Sequence, residues 1–311
     1  MASADLQSPA FTDENAAREA MEAVFWPHGP RCPRCETLER ITRVTGGRPG
    51  LYRCGACKRQ FTVTVGTIFE RSKVPLSKWW LAVHLMASSK KGVSAHQIHR
   101  MLGVAYETAW FMEHRIREAM TPGSDAPKLG GDDLIVESDE TELTPSRKTK
   151  GARDRTNNKK FMTLIERGGS ARSKMITSAD AGEIKTNLAK YVDANSILHT
   201  DGARVYKGAW MVKAHEAVDH NKEYARDGET GRVHVNSAEG FFSLFKRGLV
   251  GIYQHMSEHH LPRYLAEFDF RYSNRVRLGV GDAERAARIV RGAAGKRLMY
   301  RRPDGEAAAE A

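Results

Sequence analysis

The chain has no long hydrophobic run and few cysteines for its 311 residues. Its longest apolar stretch, residues 79–87, is interrupted by His84 and is far shorter than the roughly 18 residues that a membrane helix requires. The N-terminal residues have neither the basic flank nor the apolar stretch of a secretory signal. Four cysteines in a chain of this length exclude a disulfide-rich miniprotein. We therefore expect a globular, cytoplasmic protein with no membrane partner.

Acidic residues are also few relative to basic ones. The chain has 49 basic and 38 acidic residues, a net charge of +11 and a pI near 9.5. Such an excess attracts polyanions, of which nucleic acid is the leading candidate, although an acidic membrane surface or a ribosomal neighbour also fits. Basic residues are grouped at 285–302 and at 147–160. For both groups, a solvated loop or helix face is the alternative to phosphate binding. The DNA-binding candidates of the second group are Arg147, Lys148, Lys150, Arg153 and Arg155.

All the cysteines lie in one pattern of two Cys-x2-Cys pairs separated by 18 residues. This is the spacing of a four-thiolate zinc site. Two disulfides or four free thiols are the alternatives, but a chain without a secretion signal is expected to keep its thiols reduced. We therefore predict a small zinc ribbon with a structural zinc ion. Its ligands are Cys32, Cys35, Cys54 and Cys57.

Residues 94–117 predict two helices joined by a sharp turn. Ser94 is placed to cap the first helix, Gly103 permits the turn, and an apolar stripe continues along the second helix. Next to a zinc ribbon in a basic chain, this pattern favours a helix-turn-helix that contacts DNA, with Arg117 among the exposed candidates. An ordinary helical hairpin is the alternative.

From residue 134 the apolar pattern changes to short strands. Strand candidates at 134–140, 161–166 and 174–178 are followed by a helix at 180–194 and a strand at 196–202. This order indicates a parallel crossover and a covered sheet. Asp139 and Asp201 each fall where an apolar strand becomes polar, and paired carboxylates at strand ends can share divalent ions. Each aspartate alone also fits a turn.

A third acidic residue, Glu239, lies in the helix predicted from residue 236. Glu239 and Lys246 are seven residues apart, so they project within about 20° of each other. The pair can face a metal-centred cleft beside the buried stripe of the helix. The alternative is purely structural, since Asn236 as N-cap with Glu239 three residues later is a capping-box pattern.

These stretches resemble the bacterial insertion-sequence transposases of the ISXO type, over roughly residues 11–276. The resemblance rests on Trp26-Pro27-x-Gly29, Gly66-Thr67-Ile68-Phe69, Lys91-Gly92-Val93-Ser94-Ala95, Val136-Glu137-Ser138-Asp139-Glu140, Thr200-Asp201-Gly202, His234-Val235-Asn236-x2-Glu239, and Tyr264-x2-Glu267-Phe268-x-Phe270-Arg271-Tyr272-x-Asn274-Arg275. It implies an α/β, ribonuclease-H-like mixed sheet with flanking helices, preceded by the zinc ribbon and the helix-turn-helix segment.

The resemblance also implies roles for single residues. Asp139, Asp201 and Glu239 are then the metal-binding acidic triad, holding magnesium or manganese ions, with Asn236 in reserve for the third position. Lys246 matches the accompanying basic residue, expected to contact DNA phosphate together with Arg247.

The implied organisation has four parts. Residues 1–70 form the N-terminal helix and ribbon, 71–128 the helix-turn-helix segment, 129–280 the catalytic domain, and 281–311 a basic, partly disordered tail. The implied activity is cleavage and strand transfer of double-stranded DNA at the element's ends and target, by a nucleoid-associated homo-oligomer. A non-catalytic DNA-binding regulator and a stand-alone ribonuclease-H-like nuclease remain alternatives.

Overall fold

The computed structural model describes residues 7–143, 159–219 and 222–299, which divide into two compact units. One unit combines the chain up to residue 121 with the residues from 281 onward, and the other is residues 122–280. The ribbon and the helical segment therefore share a unit with residues that the sequence assigned to a C-terminal tail. Nowhere in the described ranges is a helix long and apolar enough to span a bilayer.

The first unit begins with a helix and a small antiparallel sheet of strand order β1–β2–β3. Their bounds are α1 Glu14–Phe25, β1 Ile41–Arg43, β2 Tyr52–Cys54 and β3 Gln60–Phe61. The Trp26 ring packs edge-on against Tyr52 and Phe61, with centroids 5.4 and 5.9 Å away. This aromatic cluster is small, so we expect the ribbon to need a further cross-link such as a metal ion.

Three helices follow the ribbon: α2 Leu76–Ser88, α3 Ala95–Leu102 and α4 Tyr106–Met120. The Ser94 hydroxyl accepts a hydrogen bond from the Gln97 amide at 3.2 Å, which caps α3. Gly103 adopts φ +58°, a left-handed conformation that ends α3 and turns the chain into α4. The predicted cap and turn of the helix-turn-helix are therefore confirmed.

The second unit is built on a five-stranded sheet of order β6–β5–β4–β7–β8. Its strands are β4 Ile135–Leu143, β5 Lys159–Glu166, β6 Ala171–Ile176, β7 Ile197–Thr200 and β8 Ala214–Ala217. Strand β5 pairs antiparallel with both β4 and β6, whereas β7 pairs parallel with β4 and with β8. The crossover helix α5, Ala181–Tyr191, connects β6 to β7. The meander and the parallel crossover expected from the sequence are confirmed.

Helices cover both faces of this sheet. On one face α5 buries Ile184 and Leu188 against the sheet. On the other face lie α6, Asn236–Gly248, and α7, Leu261–Ser273, preceded by the hairpin of β9, Arg226–Gly228, and β10, Gly231–Val233. Phe241, Phe245 and Phe268 are buried in the α6–α7 core, each contributing about 1.5–3 kcal/mol. The result is the ribonuclease-H-like mixed sheet with flanking helices.

The last helix, α8 Asp282–Arg291, belongs to the first unit. The Arg285 guanidinium donates to the carbonyl of Ala87 at 2.6 Å, and Lys296 donates to the carbonyl of Glu118 at 3.1 Å. Arg288 and Arg291 both form ion pairs with Glu284. Residues 282–291, which the sequence assigned to a basic tail, therefore form a helix whose arginines bond within the same unit.

Candidate zinc site and active site

The four cysteine sulfurs of the ribbon lie within 4.8 Å of one another. The Sγ atoms of Cys32 and Cys57 are 3.7 Å apart, and those of Cys35 and Cys54 are 3.6 Å apart. A tetrahedral zinc ion with Zn–S bonds of about 2.3 Å requires sulfurs about 3.8 Å apart. The donor set and its spacing therefore fit a structural zinc ion.

The backbone around the second cysteine pair supports this role. The amides of Cys57 and Ala56 hydrogen-bond to the Cys54 sulfur, and these bonds lower its pKa to about 7. Gly55 lies directly against Arg40, and a Cβ added there would be 2.8 Å from the Arg40 Cβ. The turn therefore requires glycine and favours the thiolate form that binds zinc.

In the second unit, Asp139 lies within β4, and Asp201 is the first residue after the neighbouring strand β7. The parallel pairing of β4 with β7 ends at Glu137 opposite His199. Each aspartate follows two residues later. Asp139 is still within β4, so the alternation of the strand places it on the face that bears Glu137, whereas Asp201 begins the turn after β7. The two aspartates predicted from the sequence therefore both follow the last residue pair at one end of the β4–β7 pairing.

The strand does not end at Asp139 as the sequence suggested. Strand β4 continues to Leu143 because it pairs with β5 from Val136 to Leu143. Asp201 also has the turn role that was the alternative, since the Ala203 amide donates to its Oδ1 at 3.0 Å. Gly202 follows at φ +81°. One carboxylate oxygen of Asp201 thus holds the turn that positions the residue.

The pKa of Glu140 depends on the charges of both aspartates. Burial raises the pKa of its carboxyl to about 7, and the negative charges of Asp139 and Asp201 add to this rise, while the hydrogen bond from Tyr206 opposes it. The Tyr206 hydroxyl also lies 2.9 Å from that of Ser138. The end of the β4–β7 pairing is therefore a region of negative potential, which a divalent cation would offset.

Glu239 and Lys246 are both exposed and line one open groove along α6. Phe242, Ser243, Arg247 and Val250 complete this groove. Arg247 donates through Nε to the Ser243 carbonyl at 3.2 Å. The phasing predicted from the seven-residue spacing is therefore present, with a carboxylate and two cations along the same surface.

The capping-box alternative for Glu239 does not occur. Asn236 is the first helical residue, and Val235 is the N-cap, without a side-chain hydrogen bond. The buried carboxylate of Glu137 caps the helix instead, accepting from the amides of Ser237 at 2.8 Å and Ala238 at 3.3 Å. Capping thus gives no reason for a glutamate at position 239.

The three acidic residues of the predicted triad are not drawn into one tight cluster. Within the described ranges, the cysteines are the only group of three or more potential ligands whose donor atoms all lie within 4.8 Å. Like-charged carboxylates repel one another, and a shared cation is what brings them close. Asp139 and Asp201 thus lie at one end of the β4–β7 pairing, and Glu239 lies on α6.

Arg117 does not lie on the DNA-binding surface that the sequence predicted. Its side chain has no solvent exposure and forms an ion pair with Glu113 at 3.0 Å. From Met112 to Arg117 helix α4 is buried, so the exposed end of the helix is its first turn, beginning at Tyr106. The sequence pattern had placed Arg117 on an exposed face because periodicity does not reveal a helix covered on several sides.

The other predicted DNA-binding residues of the basic group at 147–160 lie outside the described residues. They are Arg147, Lys148, Lys150, Arg153 and Arg155.

Sequence reasoning missed a buried polar network beside the aspartates. Arg167 donates to Glu137 at 2.9 Å, to the Arg232 carbonyl at 3.0 Å and to the His234 carbonyl at 3.1 Å. It also lies 3.2 Å from the His199 Nδ1. The available signal was Glu137 itself, a charged residue within an apolar strand and on the same face as Asp139.

Comparisons with known proteins agree with this arrangement. Residues 128–273 match the ISXO2-like transposase domain, and residues 12–60 match the transposase zinc-ribbon domain. A relative from Halobacterium salinarum, described as an uncharacterized protein in transposable element ISH50, is 28% identical over 243 residues. That alignment covers 71% of this chain and 77% of the relative. The chain therefore contains an ISXO2-like transposase domain preceded by a transposase zinc ribbon.

Proposed function

We propose that the chain is a DDE-class transposase that binds the terminal inverted repeats of its element, cleaves DNA at the 3′ ends and joins them to target DNA. The observation that supports this proposal is that Asp139 and Asp201 each lie two residues beyond the last paired residues of β4 and β7, in a chain that matches the ISXO2-like transposase domain. Capping and turn formation alone do not account for all three acidic positions.

In this proposal Asp139 and Asp201, with Glu239 from α6, hold magnesium or manganese ions. Hard oxygen donors suit these cations, and the raised pKa of Glu140 supports a cation-attracting potential at the aspartates. Bound divalent ions would activate a water or a 3′-hydroxyl and stabilise the leaving oxygen of an in-line displacement. Asn236 remains the reserve for the third position, although its amide side chain carries no charge.

The protein's own groups then orient the DNA. Lys246 and Arg247 lie along the groove of Glu239, and their charges are suited to contact phosphates on either side of the scissile bond. Because the displacement needs no covalent protein–DNA bond, no nucleophilic serine or tyrosine is assigned. In this arrangement the carboxylates would hold the metal ions in place, and the side chains of Lys246 and Arg247 would neutralise the DNA phosphates next to the reacting bond.

Recognition of the element ends falls to the first unit. The zinc ribbon and the exposed first turn of α4 are the candidate DNA-reading surfaces, because the N-terminal residues of a second helix contact base edges in helix-turn-helix proteins. The His96 ring of α3 stacks on Tyr106 in this turn, and both His96 and Arg100 are exposed. We propose that double-stranded DNA is the partner, and that copies of the chain assemble on the two ends in the nucleoid.

A strand-transfer assay with Asp139→Asn tests the activity. The DNA is a duplex carrying the inverted repeats that flank the gene, and products are followed with Mg²⁺ or Mn²⁺. We expect wild type to cleave and join, Asp139→Asn to bind without cleaving, and Asp132→Asn, an exposed aspartate just before β4, to behave as wild type.

Other outcomes favour the alternatives. Cleavage without joining supports a stand-alone nuclease. DNA binding with no cleavage by wild type, unchanged in Asp139→Asn, supports a regulator. For the third ligand, Glu239→Gln is expected to abolish cleavage while Asn236→Ala retains it, and the reverse result would assign that position to Asn236.

A further inference from the structure

A second groove lies on the flank of α6 away from Lys246, wholly within residues 122–280. Three guanidinium groups surround it, together with helix residues that do not face the Glu239 groove. We call it the arginine groove. Its defining residues are Arg167, Asn236, Gly240, Tyr272, Arg275 and Arg277.

The arginine groove has an excess of positive charge. The carboxylate of Glu137, buried below it, pairs with Arg167. Arg275 is anchored through the carbonyl of Gly169 at 2.8 Å and stacks on the Tyr272 ring at 4.0 Å. Arg277 is exposed, and in the described part of the chain its guanidinium has no hydrogen bond or ion pair. Three guanidinium groups and one buried carboxylate give the groove a net positive charge, which suits the binding of an anion.

Gly240 points to a ligand at the same place. It lies in the interior of α6 and is exposed, and a Cβ built on it would meet no atom within 4 Å. The fold therefore has no steric need for glycine there, although glycine is a poorer helix former than alanine. A missing side chain does, however, let another backbone approach the helix closely.

The two observations point to the same kind of partner. Arg277 supplies a cation for a phosphate, and Gly240 gives a strand of DNA room to lie against α6. Neighbouring helical residues are rotated by about 100°. A strand that crosses α6 at Gly240 therefore passes from the Glu239 groove to the arginine groove.

We propose that the arginine groove holds the phosphodiester backbone of the DNA strand that crosses α6, with Arg277 and Arg275 on the phosphate and Gly240 in contact with the strand. The inference rests on the proposed function, because that function supplies DNA as the ligand. It adds a backbone-binding site beside Glu239 that continues the path of the DNA beyond the point of cleavage.

Two variants of the full zinc-loaded chain test it by fluorescence anisotropy, with a labelled duplex of unrelated sequence over a range of salt concentrations. Arg277→Gln is expected to weaken binding about three- to tenfold and to reduce the slope of log affinity against log salt by about one. Lys190→Gln, which removes an exposed cation from α5 on the opposite face of the sheet, is the matched control and should bind as wild type.

Gly240→Ala separates binding from folding because the two readouts move in opposite directions. Alanine favours the helix, so the midpoint of thermal unfolding is expected to rise by about 1–4 °C while DNA affinity falls at least about threefold. A purely structural glycine would give the rise without the loss of affinity.

Equal affinity and salt slope in wild type, Arg277→Gln and Gly240→Ala would overturn the inference and leave the proposed function intact. Absence of DNA binding by wild type would instead defeat the proposed function, and with it this inference. Titration with dAMP distinguishes the source of the phosphate. Saturable dAMP binding that is lost in Arg277→Gln, with duplex affinity unchanged, would assign the groove to a free nucleotide and overturn the DNA assignment.

Discussion

The carboxylate of Glu137 accepts a hydrogen bond from the backbone amide of Ser237 at 2.8 Å, so the strand that carries Asp139 also fixes the start of the helix that carries Glu239. The same carboxylate accepts from the Ser237 hydroxyl at 2.9 Å and from Arg167 at 2.9 Å. Glu137 has no solvent exposure. A single buried side chain thus sets the spacing between two parts of the proposed active site.

We expect Glu137→Ala to lower the free energy of unfolding by about 3 kcal/mol, because it removes the helix cap and one partner of a buried ion pair. Glu137→Gln keeps an acceptor for the amides and should cost less. DNA cleavage should fall in both variants. Urea denaturation and the cleavage assay measure the two effects, with Glu142→Gln, exposed on the same strand, as control. Unchanged stability in Glu137→Ala would contradict the capping role.

A second prediction concerns the metal of the ribbon. Cys54→Ser removes one ligand from a site whose sulfurs are 3.6–3.7 Å apart, and the small aromatic core of the ribbon is not expected to fold alone. We expect the purified variant to lose its bound zinc, measured by mass spectrometry of the metal, and to lose specific binding to the element ends. The exposed ribbon variant Glu39→Gln should retain one zinc per chain. Specific end binding by zinc-free protein would disprove the dependence.

The third prediction is a pH dependence of stability from Asp269 on α7. Its carboxyl accepts hydrogen bonds from the Ser173 amide at 2.6 Å and the Ser173 hydroxyl at 2.7 Å. Burial raises its pKa from 3.8 to about 6, although these hydrogen bonds oppose the rise. The folded state therefore retains its proton at pH values where the unfolded state has lost it. The contribution of Asp269 to stability is full below pH 4 and is lost as the pH rises through 6.

The loss amounts to about 3 kcal/mol between pH 4 and pH 6–7, measured by urea denaturation at each pH. Asp269→Asn cannot ionise but can accept from the amide and donate to the hydroxyl of Ser173. The free energy of unfolding of this variant should therefore not show the loss that Asp269 causes between pH 4 and pH 6–7. A variant that keeps the same profile as wild type would exclude Asp269 as its source.

Local patterns were sufficient to predict much of this architecture. The spacing of the cysteines predicted the cluster of sulfurs, and Ser94 and Gly103 predicted a cap and a turn that are both present. The order of strands around α5 predicted the parallel pairing of β4 with β7, at one end of which Asp139 and Asp201 lie. Each of these features is determined by residues close in sequence or by the short list of connections that a sheet allows.

Contacts between distant segments were not predictable in the same way. The bond between Glu137 and Ser237 joins residues 100 positions apart, and neither residue shows its partner in the sequence. The capping-box pattern at Asn236 was misleading because a side chain from the sheet caps the helix instead. Helix α8 has a basic sequence that resembles a tail, yet Arg285 bonds to a carbonyl of α2 that is nearly 200 residues away. Burial of a polar residue depends on what the rest of the chain places over it.

Arg117 provides the last prediction, because its burial reverses the role expected from the sequence. Arg117→Gln leaves Glu113, whose side chain is 2% exposed, without this guanidinium, so we expect the free energy of unfolding to fall by about 3–5 kcal/mol. The double variant Glu113→Gln/Arg117→Gln should be more stable than the sum of the two single losses allows, and a double-mutant cycle in urea measures that coupling.

DNA affinity distinguishes a structural role of Arg117 from a role in contacting DNA. At temperatures where it remains folded, Arg117→Gln should bind the element ends as wild type does, because its side chain does not reach the surface of α4. Arg100→Gln, on the exposed face of α3, is the matched comparison and should weaken binding and lower its salt dependence. Wild-type stability combined with weakened DNA binding in Arg117→Gln would mean that α4 exposes this arginine to DNA, which requires the packing around its C-terminal half to open.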